Sequence, residues 1–456
     1  MGSGLGLCVC RPQYHGLASM GFVFSFGIFF PVFMDYFQES REKTAWVGSL
    51  GIALIFFGGL GSGALVNRFG CRVTTLLGGF FCALSLGLSS LATNIGTLYF
   101  TYSVLFGLGT SCVFSANLNI ISKYFKKRLS LAIGIVTCGQ GGGVLILAPL
   151  LQTMIDAYSW QTTYRIMAGV VPALLLSGLT FSPNVISEDD AENTVVEADA
   201  KTSSAGDARN EQEVHEKASE IEEKKEGCLF YVSVWKESKF VATVLSASVM
   251  MFGHYVPQIH LVRYCEDIGI TADAASRLFV YYGIASCVGR LVSGRLCDFE
   301  KVNTFYVYQV SELIAGTSIL VVTMATSYVH MVVFIVIYGL CDGAFITTLN
   351  VLLMTCVSPQ KVPIAIGWEM QISSFFLASG PPVAGLMADS LNSYTHAFYM
   401  AGAVVLAGAC IPFLLLFAKS KEPGEEMNEL MNPHGGQETG MDPGTQETSI
   451  AFTSSL

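Results

Sequence analysis

The chain has 456 residues, 52% of them hydrophobic and 13% charged, with a net charge of −10, and its mean hydropathy is +0.53. A soluble domain carries about 25% charged residues, so this composition excludes an ordinary soluble fold and predicts an all-α membrane protein. The acidic balance excludes a basic nucleic-acid surface, and the thirteen cysteines form no CxxC pair or metal-ligand spacing.

Taken in chain order, twelve apolar stretches approach the ~20 residues that a helical span needs. The first six cover 16–37, 45–66, 72–92, 96–121, 129–152 and 163–182, and the second six cover 239–261, 276–297, 304–326, 329–356, 362–387 and 395–418. This divides the chain into an N-terminal six-helix lobe (1–182), an acidic loop (183–238), a C-terminal six-helix lobe (239–418) and a polar tail (419–456). The loop is acidic and poor in aromatic residues, so it lacks the apolar surface to fold alone. Lys and Arg gather in alternate short connections, at Arg68 and Arg72, Lys123 to Arg128, Arg295 and Lys301, Lys361, and Lys419 with Lys421. This bias predicts that both termini and the acidic loop face the cytoplasm. The tail ends Thr453-Ser454-Ser455-Leu456, a pattern suited to adding a strand in a PDZ-type groove, although it is short and common and an unbound tail fits it better.

One residue breaks the apolar pattern most sharply. Arg290 lies in the middle of the eighth span, in SRLFVYYGIASCVGRLVSGRLC. A guanidinium stays protonated at any physiological pH, and placing it at the bilayer centre costs roughly 2.5–3.5 kcal/mol on insertion scales. Such a cation normally faces a wet cavity or an anion, which makes a carboxylate its expected ligand. Acids inside other spans are Glu312, Asp342 and Glu369, and His254 and His260 lie in the seventh span. Asp342 and Glu369 are the stronger candidates for a counter-ion or a proton carrier, although each taken alone fits a satisfied wall residue.

The two lobes repeat a loop motif. Gly63-Ala64-Leu65-Val66-Asn67-Arg68-Phe69-Gly70-Cys71-Arg72 follows the second span, and Gly294-Arg295-Leu296-Cys297-Asp298-Phe299-Glu300-Lys301 follows the eighth. The small residue allows close helix approach, and the basic residues favour the anionic leaflet. Placed twice at equivalent positions, this pattern resembles the loop motif of the major facilitator superfamily. The junction Lys123-Tyr124-Phe125-Lys126-Lys127-Arg128-Leu129-Ser130-Leu131-Ala132-Ile133-Gly134 resembles the fifth-helix signature of the monocarboxylate transporter family. Ala148-Pro149, Trp160 and Gly380-Pro381-Pro382-Val383-Ala384-Gly385 extend the resemblance across both lobes.

The resemblance implies a 12-helix major facilitator fold of two six-helix lobes that moves a small monocarboxylate by alternating access, as a symporter where it is proton-linked. It implies a plasma-membrane protein without cofactor, metal or enzymatic step, in contact with lipid and with a single-span immunoglobulin-type ancillary glycoprotein. It places Arg290 against the substrate carboxylate. The chain departs from the family at three places. The family's aspartate one turn before the arginine is Ser286, its first-helix lysine falls at or beside Phe30, and its opening Asp-Gly-Gly-Trp motif is missing. Ser286 and Phe30 are therefore expected beside the substrate. The departures leave two alternatives. One is a facilitator for a bulkier molecule such as an aromatic amino acid, thyroid hormone or creatine. The other is a non-transporting form with a splice- or start-site-variant N-terminus.

Overall fold

The computed structural model of the protein describes residues 19–124, 129–175, 233–299, 301–358 and 361–419. Contacts divide the chain into Met1–Pro412 and Phe413–Leu456, and of the second unit only the helix end to Lys419 is described. The acidic loop between 176 and 232 and the C-terminal Thr453–Leu456 lie outside the described residues.

The N-terminal half holds α1 (Gly21–Phe24), α2 (Phe26–Phe37), α3 (Arg41–Phe57), α4 (Gly59–Ser89), α5 (Ile95–Leu98), a π-helical segment Tyr99–Val104, α6 (Leu105–Tyr124), α7 (Leu129–Ala157) and α8 (Trp160–Leu175). The C-terminal half holds α9 (Ser238–His254), α10 (Val256–Asp267), α11 (Ala272–Cys297), α12 (Thr304–Val321), α13 (Tyr328–Thr355), α14 (Val362–Leu391) and α15 (Thr395–Lys419). Polar caps start the helices where the sequence supplies them. Ser40 accepts from Lys43 N at 3.3 Å ahead of α3, and Thr271 accepts from Ala274 N at 3.4 Å ahead of α11. Each such cap contributes about 1 kcal/mol. Asp273 in the first turn of α11 and Arg295 in its last turn complement the helix dipole.

Among the described residues these helices form twelve rods, interrupted in chain order at Ser25, Gly58, Gly70 and Tyr255. The first rod breaks at Ser25, between α1 and α2, and the seventh breaks at Tyr255, between α9 and α10. The two breaks sit at equivalent places in the two halves. The third interruption is Gly70, whose φ of 81° turns the second rod into the third inside α4; a side chain there would be strained. Seven described helices are long and apolar enough to cross a membrane, and Arg41–Phe57 with Gly59–Val66, bent by 43°, makes an eighth. Two of the four remaining predicted spans are weaker for local reasons. Helix α2 has only 12 residues, and α11 is interrupted by Arg277, Arg290 and Arg295.

The halves meet along α3 with α14, α7 with α11, and α2 with α10. At the end of the molecule where α2 turns into α3, an ionic cluster joins them. Arg41 pairs with Asp267 at 3.1 Å and with Asp389 at 3.5 Å, and Arg263 lies 3.9 Å from Asp35. Asp389 also accepts from Glu42 N at 3.2 Å. Each half-exposed pair contributes about 0.2–1 kcal/mol, so the cluster is a weak latch. Arg41→Ala is expected to favour opening at this end by a few-fold. The check is labelling of a cysteine at Phe30, on the α2–α10 seam, by a membrane-impermeant thiol reagent. Equal labelling with and without Arg41 would remove the latch assignment.

Candidate functional site

Helix α11 presents Arg290 to α13 because neither helix carries a side chain at the crossing. A methyl built on Gly343 would collide with the carbonyl oxygen of Ser286 and lie 2.8 Å from Arg290 N. On the opposite side, a methyl on Gly134 of α7 would lie 2.7 Å from Arg290 O. Three helices therefore converge on Arg290 at backbone distance, and its side chain is fully buried.

The guanidinium is held by a carboxylate and a hydroxyl. Its Nη2 lies 3.3 Å from Asp342 Oδ2, and its Nε donates to Ser286 Oγ at 3.2 Å. Ser286 in turn donates to Asp342 Oδ2 at 2.9 Å, and Tyr282 Oη donates to the same oxygen at 2.9 Å. Gln258 Nε2 donates to Tyr282 Oη at 2.5 Å. The other oxygen of Asp342 faces His254, whose Nε2 lies 3.1 Å from Oδ1. His254 is the last residue of α9, at the break in the seventh rod, and its carbonyl accepts from Tyr338 Oη at 2.5 Å. Beyond it, Nδ1 lies 3.4 Å from Glu312 Oε2. The result is a buried row, Arg290–Asp342–His254–Glu312, contributed by α11, α13, α9 and α12. Two nitrogens of the row, Arg290 Nη1 and His254 Nδ1, are buried without a hydrogen-bond partner.

The remaining candidate positions are distributed as follows. Phe30 is fully buried, and its ring stands edge-on to His260 at 4.7 Å. His260 contacts Tyr394 Oη at 3.2 Å and Pro381 O at 2.9 Å. Phe26, Phe29 and Phe22 pack with Tyr102 and Tyr164 as aromatic core of the N-terminal half. Tyr281 faces outward, whereas Tyr282 is buried in the row. Glu369 accepts from Ser373 of its own helix at 2.8 Å and has no direct bond to Arg290.

In the loop motif, Gly294 is buried and Gly134 packs toward it. Gly63 has open space around it, so close approach does not explain that glycine. Arg68 lies over the Phe69 ring at 5.4 Å, Arg72 is exposed, and Asn67 sits in α4 next to them. Asp298, at the end of α11, keeps a buried Oδ2 without a hydrogen-bond partner. No group of three or more His, Cys, Asp or Glu suited to a metal occurs among the described residues.

Arg290 is sealed from water in this conformation, and Asp342 occupies the position next to it that the sequence reading reserves for an incoming anion. A cavity of about 740 Å³ lies elsewhere, between α12 and α13, lined by Val310, Ile314, Val321 and Phe334, and does not reach the arginine. Access to Arg290 therefore requires the packed helices to separate.

The chain matches the family model of the Major Facilitator Superfamily over residues 16–298 and 240–433. A solved POT family transporter in complex with 5-aminolevulinic acid shares the fold, with a TM-score of 0.66 at 14% identity, covering 92% of this chain and 97% of that one. The family match defines a multi-pass membrane protein of this superfamily, and the solved structure shares its fold. Monocarboxylate transporter 10 of Mus musculus is 30% identical over 421 residues, covering 89% of this chain and 79% of that protein. Monocarboxylate transporter 12 of Xenopus laevis is 30% identical over 378 residues, with 82% and 80% covered. Monocarboxylate transporter 4 of Mus musculus is 28% identical over 412 residues, with 88% and 83% covered. The chain belongs to the monocarboxylate transporter family of the major facilitator superfamily.

Proposed function

We propose that the protein carries a small organic monocarboxylate across the plasma membrane by alternating access, with both termini in the cytoplasm. The observation that supports this reading is the unpartnered, buried Nη1 of Arg290 beside the carboxylate of Asp342. A buried donor without a partner is costly, roughly 1–3 kcal/mol, and more when it belongs to a charged group. A substrate carboxylate bound at Nη1 and Nη2 would satisfy it with a bidentate pair. Asp342 then acts as an internal anion that holds Arg290 while the site is empty and yields when substrate arrives. Helices α7, α11 and α13, in backbone contact around Arg290, are the elements that must separate for entry. Ser286 supplies the polar neighbour, Phe30 packs on His260 at the seam between the halves rather than on Arg290, and the loop-motif residues Gly63 to Arg72 and Gly294 to Asp298 flank the moving rods. Membrane lipid, a single-span immunoglobulin-type glycoprotein and a PDZ domain at the C-terminus are the partners consistent with the family and the tail.

The test is counterflow into proteoliposomes of L-lactate, pyruvate, phenylpyruvate and tryptophan, with and without a proton gradient. Saturable exchange of at least one monocarboxylate is the expected result. Exchange confined to tryptophan would replace this reading with a facilitator of bulkier substrates. No exchange of any of them would remove it.

A further inference from the structure

We propose that Cys138 and Cys287 form a modification site for a small peroxide, which joins them in a disulfide and fastens the two halves of the carrier together. The bond follows from the geometry of the two thiols, and its effect on transport rests on the alternating-access reading above.

The two cysteines face each other where α7 of the N-terminal half crosses α11 of the C-terminal half. Cys138 Sγ donates to Cys287 O at 3.5 Å, and Cys287 Sγ donates to Cys138 O at 3.4 Å. The two thiols also interact with each other directly. This reciprocal contact places both sulfurs between the same two backbones. Glycine permits the approach. A methyl on Gly141 would lie 3.0 Å from Cys287 Sγ, and one on Gly283 would lie 2.7 Å from Gly141 O. A disulfide needs Cα atoms roughly 4.4–6.8 Å apart, Cβ atoms turned toward each other, and an S–S bond of about 2.05 Å. Helices packed backbone to backbone, with each sulfur reaching the other's carbonyl, meet the first two demands. Rotation of the two short side chains meets the third.

Cys138 is buried and Cys287 is part-exposed, so an oxidant that reaches the pair meets Cys287 first. Hydrogen peroxide is small and uncharged enough to enter an apolar interior. In the first step the sulfur of Cys287 attacks one peroxide oxygen. The O–O bond breaks, a sulfenic acid forms on Cys287, and the departing oxygen takes the thiol proton and leaves as water. In the second step the sulfur of Cys138 attacks the sulfenic sulfur. The S–O bond breaks, and the hydroxyl leaves as water with the proton of Cys138. The two thiols have lost two electrons, and the peroxide has been reduced to two waters.

The position of the bond decides its effect. Cys82 and Cys112 also interact, but inside the N-terminal half, so a bond between them would leave the halves free. Cys138 and Cys287 are 149 positions apart and belong to different halves. Cys287 stands one turn before Arg290 on α11, and Gly134 of α7 packs on the Arg290 backbone one turn before Cys138. The bond would therefore cross the contact that has to open before an anion reaches the guanidinium. Oxidation holds that contact shut, and reduction releases it.

The test uses the full-length protein in proteoliposomes, with a specific protease site inserted in the acidic loop between the halves. After hydrogen peroxide, free thiols are alkylated and the loop is cut. Wild-type protein should run as one band without reductant and as two bands after dithiothreitol. Cys138→Ser and Cys287→Ser should run as two bands in both conditions. Peroxide should lower carboxylate exchange by the wild type by at least about tenfold, because rocking needs the lobes to part. Dithiothreitol should restore it, and both variants should keep their exchange in peroxide. Two bands from the peroxide-treated wild type would overturn the proposal, and this reading stands even where a variant fails to fold. One band with undiminished exchange would overturn the fastening role. A loss of exchange shared by both variants would place the damage elsewhere and overturn it as well. If untreated protein exchanges none of the probes, the carboxylate reading fails, and the gel still decides the bond.

Discussion

Arg290→Ala is expected to abolish carboxylate exchange while the protein still reaches the membrane. A bidentate guanidinium–carboxylate pair is charge-assisted, and such hydrogen bonds contribute about 1.5–3 kcal/mol each. Losing one or both lowers substrate affinity by at least about tenfold to a hundredfold. A second effect accompanies the first. Without the guanidinium, the fully buried Asp342 loses its cation, and breaking one side of a buried pair costs about 3–5 kcal/mol. A single variant therefore mixes lost binding with lost stability. The double variant Arg290→Ala with Asp342→Ala separates them, because removing both charges restores the neutral balance of the pair. Its abundance and melting temperature should recover while exchange stays absent. Arg290→Lys should recover only part of the exchange, since an ammonium is a point charge and cannot hold Ser286 and a carboxylate as a planar fork does. Exchange by Arg290→Ala at the wild-type rate, normalised to surface protein, would show that the substrate binds elsewhere.

How far the sequence reaches can be judged at individual residues. Arg290 is legible because a permanent cation in an apolar run demands a partner wherever the chain folds. Asp342 is legible as an intramembrane acid for the same reason. Their pairing is legible only as one of two candidates, Asp342 or Glu369, because it joins residues 52 positions apart and depends on which helices touch. The clue to that contact is steric: Gly343 follows Asp342 directly, and Gly289 precedes Arg290, so both helices are bare at the crossing. Glu369 shows the opposite case. Its carboxyl accepts from Ser373 one turn on and has no direct bond to Arg290, an arrangement that only the rotamer reveals. His254 is placed by the break at Tyr255, which ends α9 at the histidine. Pro257, in the first turn of α10, is the mark of that break in the sequence.

Gly343→Ala should disable transport more severely than a single methyl ordinarily would. The added carbon meets the carbonyl oxygen of Ser286 and the backbone nitrogen of Arg290, neither of which can rotate away as a side-chain tip can. Helix α13 must therefore shift off α11, at the usual overpacking cost of about 1–3 kcal/mol. Asp342 is the adjacent residue and moves with it. Its bonds to Tyr282, Ser286 and Arg290 span 2.9–3.3 Å, so a displacement of several tenths of an ångström takes the longest of them out of hydrogen-bond range. Gly87→Ala in α4 provides the contrast, because nothing lies within 4 Å of its added methyl. There the substitution should be neutral or stabilise by about 0.4–1 kcal/mol through lost unfolded-state freedom. Melting temperature and exchange, measured together for both variants, distinguish a general packing effect from a local one. If Gly343→Ala exchanged substrate normally, α11 and α13 would not need their present contact during the transport cycle. Asp342 would then not be the carboxylate that substrate replaces at Arg290.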